Sequence, residues 1–178
     1  MKPLMMALLL IGSQIASCGE IADYYAKLPP KLKPSGPDDA WSTNHGITEI
    51  GIEHTPCFGP CPIYTAIFKS DGTFRYTGVS GVGVTRVGDF TGTVPVSYFH
   101  ELAQFVRDSG YMNLKDGYRR DITDFPTTYT TVVMNGKRKT VMNHANAGPT
   151  KLWAIERLTD DLLGVARWNA SPKTKNNK

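Results

Sequence analysis

The sequence predicts an α+β domain, with an antiparallel sheet of five or six strands and two helices packed on one face. Three observations support this fold class. Short segments that alternate apolar and polar residues, as half-buried strands do, are separated by turn signals. Two longer segments carry apolar residues at helical spacing. The elements follow the order β-β-β-β-α-β-β-α, which is typical of helices layered on an antiparallel sheet.

The first four predicted strands lie between residues 47 and 92. Residues 47–53 alternate, and residues 63–69 and 73–78 flank the turn Ser70-Asp71-Gly72. A three-residue loop with a left-handed Gly72 gives this hairpin one apolar face. That face would consist of Tyr64, Ala66, Phe68, Phe74 and Tyr76. Residues 78–92 alternate through Val82, Val84, Val87 and Phe90 among glycines, so we expect a further antiparallel strand with a bulge.

The second half supplies the helices and another hairpin. The first helix should run from Pro95 or Ser97 to Asp108, and a loop should follow over residues 111–125. Its apolar stripe comprises Tyr98, Phe99, Leu102, Phe105 and Val106.

Asn135-Gly136, a strong two-residue turn signal, joins the predicted strands 128–134 and 137–143. Both faces of this hairpin carry apolar and polar residues, so the pattern does not predict which face is buried. Gly148-Pro149 opens the last helix, and Trp168 is expected to close the domain. The buried face of that helix is predicted to be Leu152, Ile155, Thr159, Leu162 and Ala166.

The first 17 residues predict a secretory signal peptide. Lys2 gives a positive start, and residues 4–11 form an apolar run too short to span a bilayer. The segment Ile15-Ala16-Ser17-Cys18 resembles the lipobox of bacterial lipoproteins. This resemblance implies that the chain is cut before Cys18 and that Cys18 carries lipid, with acyl chains such as palmitate. The alternative is an ordinary signal peptide followed by a chance cysteine.

The sequence therefore divides into a signal peptide (1–17), a lipidated tether (18–46), one globular domain (47–168) and a polar tail (169–178). Gly19 follows the lipidated position, and by resemblance to Gram-negative lipoproteins the lack of an aspartate there implies the outer membrane, facing the periplasm, in an organism that has one. The membrane is the expected partner, through the lipid. The net charge of +4 is spread over turns and ends, which excludes a basic nucleic-acid face.

Cys57 and Cys61 remain as a pair once Cys18 is lipidated. In an oxidising compartment such a pair predicts a disulfide. The bond would close a five-residue loop among Pro56, Pro60 and Pro62. Its chain-entropy contribution is about 2 kcal/mol, and its main effect is to set the turn between two strands.

Two other interpretations of the cysteines stay open. A thiol–disulfide exchange pair needs a thiolate stabilised by a helix N-terminus or a cation, and His54 is the nearest candidate cation. A Cu(I) site is the other interpretation, because Cys-x-x-x-Cys-Pro resembles the copper motif of Sco assembly factors. Cys57 and Cys61 would then be ligands together with His54 or His144. The sequence carries no thioredoxin pattern, in which those factors hold their motif.

The residues also resemble a bacterial domain of unknown function that often follows lipoprotein signals and carries a Cys-x-Gly-x-Cys-Pro-x-Tyr signature. The match runs over residues 47–168, and His54 stands where that family is expected to have a basic residue such as arginine. The matching positions are Cys57-Phe58-Gly59-Pro60-Cys61-Pro62-Ile63-Tyr64, Asp71-Gly72, Tyr76-x-Gly78, Tyr118, Asp124-x-Pro126-Thr127, Lys139 and Trp168. The resemblance implies an α+β fold and brings no activity with it.

No catalytic constellation or cofactor motif is recognisable in the sequence. Glu53 and His54 lack a nucleophile elbow, and the glycines of residues 78–92 are not followed by a phosphate-loop lysine. We therefore expect a non-enzymatic binding or structural domain displayed on the cell envelope, without cofactor or resident metal. A periplasmic thiol–disulfide or Cu(I)-handling factor is the alternative.

Overall fold

The computed structural model describes residues 43–169. The predicted signal peptide, the predicted lipidation site Cys18 and the tether up to residue 42 lie outside the described residues. The predicted tail from residue 170 does so as well.

The described residues form eight strands and two α-helices. The strands are β1 (Ile47–His54), β2 (Ile63–Lys69), β3 (Thr73–Ser80), β4 (Gly88–Thr93), β5 (Gly117–Tyr118), β6 (Thr127–Met134), β7 (Lys137–His144) and β8 (Arg167–Trp168). The helices are α1 (Val96–Asp108) and α2 (Thr150–Asp161), with short 3-10 helices at Tyr111–Asn113 and Leu162–Val165. Within this part of the chain, no helix has the length and apolar character needed to cross a membrane.

One sheet contains all eight strands, in the order β5-β7-β6-β1-β2-β3-β4-β8. Its centre is β1, which pairs antiparallel with β2 and with β6. Ile50 lies between Phe68 on one side and Val132 on the other, and all three are fully buried. Both helices contribute to the same core, through residues such as Phe99 and Leu152.

Both predicted hairpin turns are confirmed. Phe68 pairs with Phe74 across β2 and β3, and Gly72 between them has a φ of 81°. Asn135 and Gly136 both have positive φ, as a tight two-residue turn between β6 and β7 requires. The structure also identifies the face of this second hairpin that is buried, which comprises Thr128, Thr130, Val132, Val141 and Asn143.

The α+β class is confirmed, but the predicted strand number and order are wrong. The sheet has eight strands, and the observed order is β-β-β-β-α-β-β-β-α-β. The additional strands, β5 and β8, have two residues each, which is too short to produce an alternating pattern. The sheet is also not wholly antiparallel, because β5 runs parallel to β7.

The glycine-rich stretch is not one bulged strand. β3 continues to Ser80, residues 81–87 form a loop, and β4 pairs with β3 in continuous register. Val82 and Val87 are more than two-thirds exposed, so their alternation does not mark a buried face. The chain leaves the sheet here at Gly81 and Gly83, which have φ values of 109° and 83°.

The first helix lies where predicted, whereas the last helix ends at Asp161, so Leu162 belongs to a 3-10 helix and Ala166 to the connection before β8. The buried stripes of both helices also differ from those predicted. In α1, Phe99, Leu102 and Val106 are buried, whereas Tyr98 and Phe105 lie at the solvent boundary. In α2 the predicted residues Leu152, Ile155 and Thr159 are buried, together with Glu156. A buried carboxylate inside an apolar stripe is unusual.

Candidate functional site

The cysteine loop, residues 55–62, connects β1 to β2. Cys57 and Cys61 lie at disulfide distance, with their Cα atoms 5.8 Å apart. The backbone of this loop is also bonded to two other loops: Phe58 N donates to Asp124 O at 3.1 Å, and Val82 N donates to Pro60 O at 2.9 Å. The cysteine loop is therefore hydrogen-bonded to the loop that contains Asp124 and to the loop that contains Val82, and all three loops lie at one end of the sheet.

Three side chains meet beside this loop. Tyr64 and His54 are paired across β1 and β2, and their rings are in contact at a tilt of 46°, with centroids 4.7 Å apart. The Tyr64 hydroxyl donates to Asp160 Oδ1 of α2 at 2.5 Å, and His54 Nε2 lies 3.0 Å from the same oxygen. These contacts connect the end of the β1–β2 pair to the C-terminal turn of α2. We call the group of His54, Tyr64 and Asp160 the clasp.

The hydrogen bonds to Asp160 show which atoms of His54 and Tyr64 carry protons. A carboxylate only accepts hydrogen bonds, so His54 carries a proton on Nε2, while its Nδ1 lies 3.4 Å from the Thr128 hydroxyl. Burial, followed by the neighbouring Asp160 carboxylate, raises the pKa of Tyr64. The phenol therefore remains a hydrogen-bond donor at physiological pH.

A cavity of about 340 Å³ opens next to the clasp. We call it the charged pocket. Its principal lining side chains are Tyr64, Tyr76, Thr85, Arg86, Asp160 and Trp168. The pocket thus brings together residues of the signature, the glycine-rich loop, the last helix and the last strand, which are far apart in the sequence.

Arg86 is held in place by aromatic rings. Its guanidinium carbon lies 4.5 Å from the ring centroid of Trp168 and 5.7 Å from that of Phe90. Trp168 in turn packs edge-on against Phe74 and Tyr76. Within residues 43–169, no carboxylate lies within ion-pair distance of Arg86. A stacked guanidinium without an ionic partner can bind an anionic group of a ligand.

Three other concavities of the described residues are larger and lack this arrangement. The first, about 460 Å³, lies on the open face of the sheet, and there Arg138 pairs with Glu49 at 2.8 Å. The second, about 400 Å³, lies between α1 and α2, where the apolar lining that the described residues form includes the carboxylates Glu101 and Asp161. The third, about 360 Å³, is lined by Glu49, Lys69, Asp71 and Arg138, and no aromatic side chain is part of its described lining. Among these concavities, the charged pocket is the one in which a guanidinium without a carboxylate partner in the described residues lies over aromatic rings.

Glu156 lies one helical turn before Asp160 and is buried. Asn143 Nδ2 lies 3.0 Å from each oxygen of its carboxylate, and Asn143 Oδ1 accepts from Gly148 N. Burial raises the pKa of Glu156 to about 7, although the hydrogen bond from Asn143 opposes that shift. This carboxyl group therefore changes charge close to neutral pH.

The predicted metal ligands are not brought together. Cys57 and Cys61 lie at disulfide distance from each other, and His54 is engaged by Asp160 and Thr128. The other candidate, His144, contacts the Thr127 hydroxyl and the Ile122 carbonyl. In the described part of the chain, no three His, Cys, Asp or Glu side chains are arranged to hold a metal ion.

Sequence reasoning singled out Tyr64 and Trp168 through the resemblance but missed Arg86, Glu156 and Asp160. Arg86 falls in a stretch predicted to be a strand. The signal for the other two was the presence of carboxylates four residues apart beside the predicted buried face of α2.

A family model matches residues 48–163, which include the cysteine loop, Arg86 and Asp160. The chain belongs to this family, DUF6438, a domain of unknown function. No curated protein matches the chain. The function of this DUF6438 domain therefore has to be argued from its own residues.

Proposed function

We propose that this protein is a membrane-anchored cell-envelope lipoprotein whose DUF6438 domain is a non-enzymatic binding module. The charged pocket is its binding site. The observation that carries the binding function is the Arg86 guanidinium, which is stacked on Trp168 without a carboxylate partner in the described residues and lines the same cavity as Asp160.

The arrangement of the clasp favours binding over catalysis. Tyr64 and His54 both converge on Asp160 Oδ1, so this oxygen already accepts two hydrogen bonds. A raised pKa keeps the Tyr64 phenol protonated, which disfavours its use as a nucleophile. The clasp is suited to positioning a pocket wall, and the cysteine loop beside it holds the surrounding connections in place.

The lipid anchor is supported by the lipobox-like segment Ile15-Ala16-Ser17-Cys18. Two or three acyl chains anchor a protein stably, because each buried methylene contributes about 0.8 kcal/mol. The tether would then hold the domain on the order of 30 Å from the membrane surface. The predicted location is the outer membrane, facing the periplasm.

The anchor is tested by expressing the full chain in a Gram-negative bacterium supplied with labelled palmitate. We expect label in the wild-type protein and in a Cys57→Ala/Cys61→Ala variant, and none in Cys18→Ala. Mature, unlabelled wild-type protein free in the medium would refute the anchor.

The pocket is tested by filling it. Gly164 lines the pocket, and a side chain added there meets open space, so Gly164→Phe should fold and obstruct the cavity. Val165→Phe is the matched control, because the neighbouring residue lines the groove between the helices instead.

NMR titration of the full chain is carried out with four probes: acetate, inorganic phosphate, methylammonium and glycine. We expect at least one probe to shift the signals of pocket residues in the wild type and in Val165→Phe, and not in Gly164→Phe. If no probe shifts these signals, or if Gly164→Phe responds as the wild type does, the pocket is not a binding site.

A further inference from the structure

We infer that the charged pocket binds a zwitterion of amino-acid type, with the ligand carboxylate on Arg86 and its ammonium group on Asp160. This inference rests on the proposed function of the pocket as a binding site. It is drawn from the charge arrangement of the lining: Arg86 and Asp160 are the charged side chains that line the cavity. They have opposite signs and do not form an ion pair with each other.

Arg86 offers a preorganised carboxylate site. A guanidinium is planar and presents its N–H donors in a fork that matches the two oxygens of a carboxylate. Stacking on Trp168 and the approach to Phe90 restrict the plane of this group. Because its donors have no protein acceptor in the described residues, a carboxylate can bind without displacing an existing partner.

Asp160 offers the site for the ammonium group of the ligand. Its Oδ1 accepts from Tyr64 and from His54, whereas Oδ2 accepts no hydrogen bond from any residue between 43 and 169. The side chain is 16% exposed, so it is partly accessible. An ammonium group can donate to the free oxygen and lie near the rings of Tyr64 and Tyr76, which also line the cavity.

The size of the pocket restricts the ligand further. A volume of about 340 Å³ lies near the lower end of the range for ligand cavities, which begins at about 300 Å³. A free amino acid fits such a space. Gly83 and Gly164 line the cavity, and a Cβ at either position meets no atom within 4 Å. The rim is therefore open at these glycines, and a longer ligand carrying both charges at one end could extend there.

The inference is tested by titrating the full chain with glycine, acetate and methylammonium and following the signals of pocket residues by NMR. We expect glycine to bind at least about tenfold more tightly than either single-charge probe, since a second charged contact typically contributes that much. Equal affinity for glycine and acetate, or for glycine and methylammonium, would overturn the zwitterion while leaving the pocket a binding site. Absence of binding by all probes would overturn both proposals.

Two variants test which side chain binds each charged group of the ligand. Arg86→Gln should lower the affinity for glycine about tenfold and leave the affinity for methylammonium unchanged. Asp160→Asn should lower the affinity for glycine by a similar factor and leave the affinity for acetate unchanged. Arg75→Gln is the matched control, because Arg75 is exposed on the same strand that carries Tyr76 but points to the other face of the sheet. If Arg86→Gln binds glycine as the wild type does, the assignment of the carboxylate is wrong. This result does not depend on whether Asp160→Asn folds.

Discussion

Helix α2 carries two carboxylates one turn apart that lie in very different surroundings. Asp160 is at the edge of the charged pocket, partly exposed, and accepts hydrogen bonds from a phenol and an imidazole. Glu156 is 4% exposed, and among residues 43–169 its side-chain hydrogen bonds come from one amide, that of Asn143. The residues differ by one methylene and share a helix face, so the neighbouring strands cause the difference.

The comparison shows how one sheet provides two environments. On the β2–β3–β4 side of β1, the inner face carries the aromatic residues Phe68, Phe74 and Tyr76, which leave a cavity at their edge. On the β6–β7 side, it carries smaller and polar residues such as Thr130 and Asn143, against which Glu156 is enclosed. A carboxylate beside the aromatic side stays accessible for a ligand, and one beside the polar side becomes part of the core.

The largest expected effect comes from removing the partner of Glu156. Asn143→Leu leaves a buried carboxylate without its donor, so we expect the free energy of unfolding to fall by about 4 kcal/mol at pH 8. At pH 5 Glu156 is protonated, and the loss should shrink to about 2 kcal/mol. Urea unfolding at both pH values measures this.

Asn113→Ala, at an exposed asparagine, is the control for Asn143→Leu and should change stability little at either pH. An equal loss for Asn143→Leu at pH 5 and pH 8 would mean that the charge of Glu156 does not contribute.

The second effect is a pH dependence of stability. The pKa of Glu156 is about 7 in the folded protein and 4.5 when unperturbed, so the folded state binds more protons between these values. Its contribution is therefore present below pH 4.5 and is lost as the pH rises to 7. The loss is on the order of 3 kcal/mol.

Glu156→Gln should abolish this component, so the difference in stability between wild type and variant should change steadily from pH 4.5 to pH 7. Glu53→Gln, at an exposed carboxylate, should follow the wild-type curve. Parallel curves for wild type and Glu156→Gln would contradict the assignment.

The smallest of the three effects concerns the clasp at Asp160. Tyr64→Phe removes the hydroxyl that donates to Asp160 Oδ1 and should lower the free energy of unfolding by about 2 kcal/mol. Because the phenol stays protonated, this loss should be the same at pH 5 and pH 8. Chemical denaturation at both pH values tests it.

Tyr98→Phe, at a tyrosine 46% exposed, is the matched control for Tyr64→Phe. A loss no larger than that of the control would show that the clasp does not hold α2 against the strands.

The hairpins illustrate what local chemistry can predict. Gly72 and Asn135-Gly136 adopt positive φ, which the residue types favour independently of the rest of the fold. The one apolar face of the β2–β3 hairpin then follows from the period of two. By contrast, the valines of residues 81–87 imitate a strand, although they lie in a loop whose path is set by contacts with the cysteine loop.

The α+β class, the two helices and both tight turns could be predicted from the sequence, because each depends on neighbours in the chain. Three other features became visible in the folded domain alone: the second hairpin buries Asn143, β5 and β8 extend the sheet, and Arg86, Asp160 and Trp168 line one cavity. These features depend on contacts between residues far apart in the sequence. Local periodicity and propensity carry no information about such contacts, so the pocket emerged only when the sheet and helices were assembled.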